Sequence, residues 1–179
     1  MSDTILNLLP VNEEEKQEFE AIAPGATHVY AGRRTVTPEQ LERATVIFGW
    51  PRPEDLRRAH SLKWFQTMWA GTEEYEAPGV LPEGVRFTSS SGSNSYSVAE
   101  HLFASLLALC RRLPQYRDEQ NHHRWLDLGR MKTIRGGTVL VLGAGHIGSD
   151  FARLCQGLGA HTVGPKRTVR GPVPAFGQV

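Results

Sequence analysis

The eleven residues Thr138-Val-Leu-Val-Leu-Gly-Ala-Gly-His-Ile-Gly148 constrain this 179-residue chain more than any other stretch. Val139 to Leu142 is an unbroken apolar run, the pattern of a strand buried on both faces in a parallel sheet. It runs into glycines spaced to receive a dinucleotide pyrophosphate. Gly143 permits a sharp turn, Gly145 lets backbone approach a phosphate, and Gly148 lets the next helix pack closely on the sheet. The phosphates would face the free N–H groups and positive end of that helix. His146 and Ile147, in its first turn, join the three glycines as cofactor-contact candidates. Ile147 to Leu158 has helical spacing, with Phe151, Leu154, Cys155 and Leu158 on one side, and His161-Thr-Val163 reads as a second strand. Together they make one βαβ unit. Glycine is common here, at 18 of 179 residues, so a glycine-rich turn in some other α/β protein stays open as the alternative.

The end of the second strand carries information about the cofactor. An acidic residue there would hold the ribose hydroxyls of NAD, but residues 160 to 179 contain none. Gly164-Pro-Lys-Arg-Thr168 is basic instead, and cations suit a 2′-phosphate. NADP is therefore expected rather than NAD, with Lys166, Arg167 and Thr168 as contacts. The competing reading is a solvated basic loop, whose path Pro165 leaves undefined.

Composition narrows the partners. With 20 basic and 19 acidic side chains the net charge is +1, which offers no electrostatic reason for nucleic acid or an anionic membrane as partner. A small molecule is expected. Cys110 and Cys155 both sit in apolar helical patterns and are expected to pack. No disulfide framework or metal-ligand spacing occurs, which suits a reducing compartment and no metal. Ile5, Leu6, Leu8 and Leu9 lack a charged lead or a long apolar run, so the start reads as a strand of a cytoplasmic protein.

Strand candidates recur through the first half at Ile5 to Leu9, His28 to Ala31, Thr45 to Gly49, Trp64 to Trp69 and Val85 to Thr88. Helical signals separate them. Asn12 caps a turn containing Glu13, Glu14 and Glu15, Thr37-Pro-Glu-Gln40 is a capping box with proline at the first helical position, and Pro53 to Ala59 is a third helix. Such alternation predicts a parallel sheet with crossover helices over residues 1–92. Ser97-Val-Ala-Glu100 reads as a capping box opening a long helix, whose stripe from Val98 to Leu113 is broad enough to predict burial on more than one side. Residues 93–132 are linking helices and residues 133–179 carry the βαβ unit.

Taken in order, Asn94-Ser-Tyr-Ser-Val-Ala-Glu-His101, Cys110-Arg-Arg112, Thr133-Ile-Arg-Gly-Gly137 and Gly143-Ala-Gly-His-Ile-Gly148 resemble the D-2-hydroxyacid dehydrogenases. That resemblance implies an α/β architecture, a flavodoxin-like substrate domain followed by the first βαβ unit of a Rossmann domain. It implies hydride transfer between nicotinamide and a 2-oxo or 2-hydroxy acid such as glyoxylate or hydroxypyruvate, and a homodimer built around the long helix. It places backbone amides at Gly71 and Thr72 against the substrate carboxylate, although Glu73 stands where the family often has Asp.

The family's arginine, glutamate and histidine lie in a later half that members nearly twice this length possess. No residue here is assigned as catalytic. His101, His122, His123 and His146 read as structural or solvated. The expectation is an N-terminal portion, inactive by itself, with an open edge at Val139 to Leu142 and a frayed tail around Pro172 and Pro174. A non-enzymatic nucleotide-binding or self-associating protein is the alternative, and a nucleotide-sensing interaction protein has no specific feature in its favour.

Overall fold

The computed structural model describes residues 2–165 and 175–176. It falls into two compact units that divide between Ser91 and Gly92.

The first unit alternates strand and helix: β1 (Thr4–Asn7), α1 (Glu13–Ile22), β2 (Thr27–Tyr30), α2 (Pro38–Arg43), β3 (Val46–Gly49), α3 (Pro53–Leu56), β4 (Trp64–Thr67) and β5 (Arg86–Ser89). All five strands are parallel, in the order β2-β1-β3-β4-β5. This is the flavodoxin-like order, with the direction of winding reversing between β1 and β3. Right-handed crossovers then carry α1 over one face and α2 and α3 over the other.

Side-chain alternation fits both faces. Leu6, Ile47, Phe65 and Phe87 stand opposite one another across four strands, and they pack with Leu41 of α2, Leu56 of α3 and Tyr75. Phe65 stacks on Phe87 at 5.1 Å between ring centroids and meets Tyr75 edge-on at 4.8 Å. On the opposite face Phe48 lies 5.8 Å from Phe19 of α1 and 5.2 Å from Trp64. A fully buried side chain of this kind contributes about 1.5–3 kcal/mol, and the row from Leu6 to Phe87 forms one continuous core with the α2 and α3 residues packed on it.

Local signals set the helix starts. Asn12 accepts from the Glu15 amide at 2.9 Å while the Glu15 carboxylate accepts from the Asn12 amide at 2.7 Å. Thr37 and Gln40 make the same reciprocal pair. The box at Thr37 was legible in the sequence, whereas at Asn12 the sequence showed the cap and the structure adds the reciprocal bond from Glu15.

The second unit holds α4 (Ser95–Cys110), α5 (Leu113–Asn121), β6 (Thr138–Leu140), α6 (His146–Gly157) and β7 (His161–Val163). Strands β6 and β7 pair in parallel, with α6 as their connection. Arg112 adopts a left-handed conformation, φ 54°, between α4 and α5, and Pro114 lies in the first turn of α5.

Four expectations need correction in this unit. First, α4 begins at Ser95 with no side-chain cap, so Ser97 does not open a capping box. The Ser95 hydroxyl instead donates to Asp150 of α6 at 2.6 Å, so a tertiary bond fastens the first turn. Second, the α4 stripe is split. Phe103, Leu106, Leu107 and Cys110 pack against the cluster of Ile134, Cys155 and Ala160, while Val98, Leu102 and Leu109 are exposed. Third, the burial on both faces that the apolar run suggests is absent, and the strand is open as expected for the missing neighbours: Leu140 is 61% and Leu142 80% exposed, and among the described residues β6 pairs with β7 alone. Fourth, the end of the chain is in part anchored. Ala175 and Phe176 are buried with Val141, Ala144 and Ala152, and the Ala175 carbonyl accepts from Thr162 at 2.9 Å. Pro172 and Pro174 lie outside the described residues.

Candidate functional site

The three glycines of the turn after β6 and the first turn of α6 sit in three different surroundings. Gly143 has φ +107°, a conformation that side chains other than glycine's rarely adopt. A Cβ on Gly148 would lie 2.0 Å from the Gly143 carbonyl oxygen and 3.2 Å from Val141, so the helix can approach the turn only where a side chain is absent. Gly145 is unlike both. Its φ is −88°, and a Cβ there would meet nothing within 4 Å. Neither backbone geometry nor internal packing requires glycine at 145, and the open space beside it lies at the start of α6.

Gly145 is also the N-cap of α6 and supplies no side-chain acceptor. The first helical bond runs from the Ser149 amide to the Gly145 carbonyl at 2.9 Å. The amides of His146, Ile147 and Gly148 precede it, at the positive end of a twelve-residue helix. A phosphate is the complement of that arrangement. Four of the named residues, Gly143, Gly145, His146 and Ile147, are exposed, whereas Gly148 is buried.

The His146 imidazole has a structural contact as well. It lies against Gly92, where a Cβ would be 3.4 Å from its Nδ1, and Gly92 itself has φ +92°. The cradle is steadied further by Asp150, which accepts from Ser95 and from Arg153. Spacing gave no notice of Gly92, Ser95 or Asp150, since they meet only when α4 packs on α6.

Gly71 and Thr72 follow β4 at the carboxyl edge of the first unit's sheet. Gly71 is exposed, and a Cβ there would meet the Glu73 carboxylate at 2.9 Å. Thr72 donates to Glu76 at 2.5 Å, and its carbonyl accepts from the Tyr75 amide. The loop is thus organised by its own acidic residues. Tyr75 anchors it from beneath, buried, with its hydroxyl donating to the Pro51 carbonyl at 2.9 Å. Burial raises the Tyr75 phenol above its usual range.

Lys166, Arg167 and Thr168 lie outside the described residues; β7 ends at Val163 and is followed by Gly164 and Pro165. Cys155 is fully buried, and desolvation raises its thiol, which makes it packing material. His101, His122 and His123 are exposed. Among the described residues there is no group of three or more His, Cys, Asp or Glu that could hold a metal ion, and no helix long and apolar enough to cross a membrane.

Residues 103–175, which include the glycine turn, match the family described as D-isomer specific 2-hydroxyacid dehydrogenase, NAD binding domain. Over that segment the chain is similar to the D-isomer specific 2-hydroxyacid dehydrogenases. Among curated members it is 30% identical over 109 residues to D-3-phosphoglycerate dehydrogenase 1 of Saccharomyces cerevisiae, a match that spans 60% of this chain and 23% of the yeast protein. A D-isomer specific 2-hydroxyacid dehydrogenase family protein from Aeromonas salmonicida superposes with a TM-score of 0.82 at 26% identity, over 99% of this chain and 57% of that one. The Xanthobacter autotrophicus enzyme, solved with NADPH and MES, has the same fold, with a TM-score of 0.77 at 22% identity over 100% of this chain and 57% of that one. Compared with these dehydrogenases, the chain spans little more than half of the solved structures and less of its curated relative. The parallel sheet and the glycine turn are features of the family's fold.

Proposed function

We propose that this chain contributes the substrate-domain fold and the opening dinucleotide-binding unit of an NADP-preferring D-2-hydroxyacid dehydrogenase. The observation that carries this reading is the α6 N-terminus. Its amides have no side-chain cap, and Gly145 is glycine without any internal requirement. A position kept free of a side chain beside open space is what close approach of a pyrophosphate needs. The nicotinamide nucleotide, when bound, supplies or accepts the hydride. Gly143 to Gly148 position its phosphates, and the Gly71 and Thr72 amides hold the carboxylate of a 2-oxo or 2-hydroxy acid such as glyoxylate or hydroxypyruvate. NADP is favoured by the lack of acid from residue 160 onward and by Lys166 and Arg167. Solved structures with this fold hold NADPH in one case and NAD in another, so the preference rests on these side chains. No residue of this chain is assigned to proton transfer, and the isolated chain is expected to be inactive. The exposed apolar positions Val98, Leu102 and Leu109 on α4 support a homodimer, and free Cys110 and Cys155 suit the cytoplasm.

The test is equilibrium binding of NADPH and NADH to the purified chain and to Gly145→Val. The expected result is tighter binding of NADPH, weakened at least tenfold by the substitution, with an unchanged circular dichroism spectrum. Equal binding by the variant would remove the glycine turn from the proposal. A second reading, a non-enzymatic nucleotide-binding or self-associating protein, is favoured by Leu140 and Leu142, which leave the free edge of β6 apolar.

A further inference from the structure

Phe176 sits where the glycine turn meets the end of β7. Its ring is buried in one cluster with Val141, with Ala144 of the glycine turn and with Ala152 of α6. The same ring lies directly on the backbone that leaves β7. A Cβ on Gly164 would stand 2.5 Å from Phe176 Cε1 and 2.6 Å from its Cδ1, an overlap that excludes a side chain there. Gly164 does not have a positive φ, so the ring and not the backbone conformation is what requires glycine at this position.

The backbone that carries the ring is fastened from behind. The Ala175 carbonyl accepts from the Thr162 hydroxyl at 2.9 Å and from the Gln156 amide at 3.2 Å, and the same Gln156 amide donates to the Thr162 oxygen at 2.9 Å. Thr162 is 3% exposed and Ala175 1%, so water does not compete for the bond between them. One group each from α6, β7 and Ala175 thus closes a small network that holds Phe176 in place.

The two places that the ring joins are the two that a dinucleotide spans. Its pyrophosphate meets the glycine turn, and its adenosine ribose lies where the second strand ends. Strands β6 and β7 pair over only three residues each, a short brace for two contact points on separate elements. We propose that Phe176 is a positioning residue for the nucleotide: packed against both the glycine turn and Gly164, it sets the spacing between the pyrophosphate and ribose positions, with Thr162 and Gln156 holding it in register. This rests on the reading of Gly143 to Gly148 as the pyrophosphate site, and it adds what a ligand longer than pyrophosphate requires. The ring itself is 8% exposed and acts through the backbone on either side of it. Side chains locked in this way hold a site to within ~0.5 Å of its productive geometry.

The experiment is calorimetric titration of the full chain with inorganic pyrophosphate and with 5′-ADP, for wild type, Phe176→Leu, Gly164→Ala and Thr162→Val. Pyrophosphate needs the turn alone, whereas ADP spans the turn and the end of β7. Wild type is expected to bind ADP more tightly than pyrophosphate. Phe176→Leu removes the ring and Gly164→Ala displaces it. Both should weaken ADP about tenfold and leave pyrophosphate within about twofold of wild type, because a misplacement of about 1 Å is felt only by the ligand that makes both contacts. Thr162→Val keeps the shape and removes the hydroxyl, so it should show a smaller loss of the same kind; it decides the matter if Phe176→Leu does not fold. Equal losses of both ligands would make the ring a purely structural part and overturn the proposal, as would variants that bind ADP like wild type. Pyrophosphate bound by wild type as tightly as ADP also overturns it, while the glycine-turn reading stands. Wild type that binds neither ligand removes the glycine-turn reading and this one with it.

Discussion

At the scale of single residues, glycines with different surroundings should respond differently to the same added methyl group. Gly148→Ala places a Cβ against the Gly143 carbonyl oxygen and Val141, with backbone on one side that cannot yield cheaply. Overpacking of this kind costs about 1–3 kcal/mol, and the second unit should lose at least that much in urea unfolding. Gly145→Ala, with nothing within 4 Å of the new methyl, should unfold at an unchanged urea concentration. In the first unit Gly49 combines φ +126° with a Cβ position 2.9 Å from that of Leu8. Strain and overlap act together there, so Gly49→Ala should cost about 2–4 kcal/mol by the same measurement. Tyr75 makes a pH prediction. Its folded-state phenol is raised, so its contribution to stability is complete below the unfolded value near pH ~10 and falls away as the pH rises beyond it. Thermal unfolding of wild type should weaken above that pH, and Tyr75→Phe should show a shallower alkaline decline.

At the scale of elements, two kinds of helix start are present, and mutation separates them. Asn12→Ala removes the side-chain acceptor of a complete capping box on α1, with an expected cost of about 1 kcal/mol. At the start of α4 the local pattern points to Ser97 and the tertiary contact to Ser95. Ser97 is exposed and caps nothing, so Ser97→Ala should fall within about 0.5 kcal/mol of wild type. Ser95→Ala breaks the bond to Asp150 and should cost about 1–2 kcal/mol, since the acceptor is a largely buried carboxylate. Chemical denaturation of the three variants decides between a local and a tertiary origin. Reversal of the last two results would return the helix start to Ser97.

At the scale of the whole molecule, the two units are unequally built. The first buries a row of side chains across four adjacent strands with helix residues packed on it. The second has two small clusters and a two-stranded sheet whose β6 leaves Leu140 exposed. Area removed from water governs the difference. Hydrogen exchange should therefore protect the amides of Leu6, Ile47 and Phe65 most strongly and those of β6 least. Urea unfolding followed at several probes should resolve two transitions, with the second unit melting first. A single coincident transition would mean that the units unfold as one.

The parts of this protein legible in the sequence are those governed by neighbours along the chain. Strand positions followed from apolar runs between breakers, the cap at Asn12 and the box at Thr37 from a three-residue reach, and the turn at Gly143 to Gly148 from glycine spacing. Each depends on backbone stereochemistry or on a hydrogen bond within one turn, which a sequence window contains in full. What only the tertiary structure decided involves partners far apart in number. Ser95 meets Asp150 across 55 residues, the α4 stripe divides into packed and exposed faces, and Ala175 is held by Thr162 after looking like tail. Apolar character shows that a side chain will be buried if something covers it, but the covering surface is chosen by topology and packing. That is why the sequence determined the strand–turn–helix able to face a dinucleotide, and only the folded chain determined which of its faces are closed and which remain open.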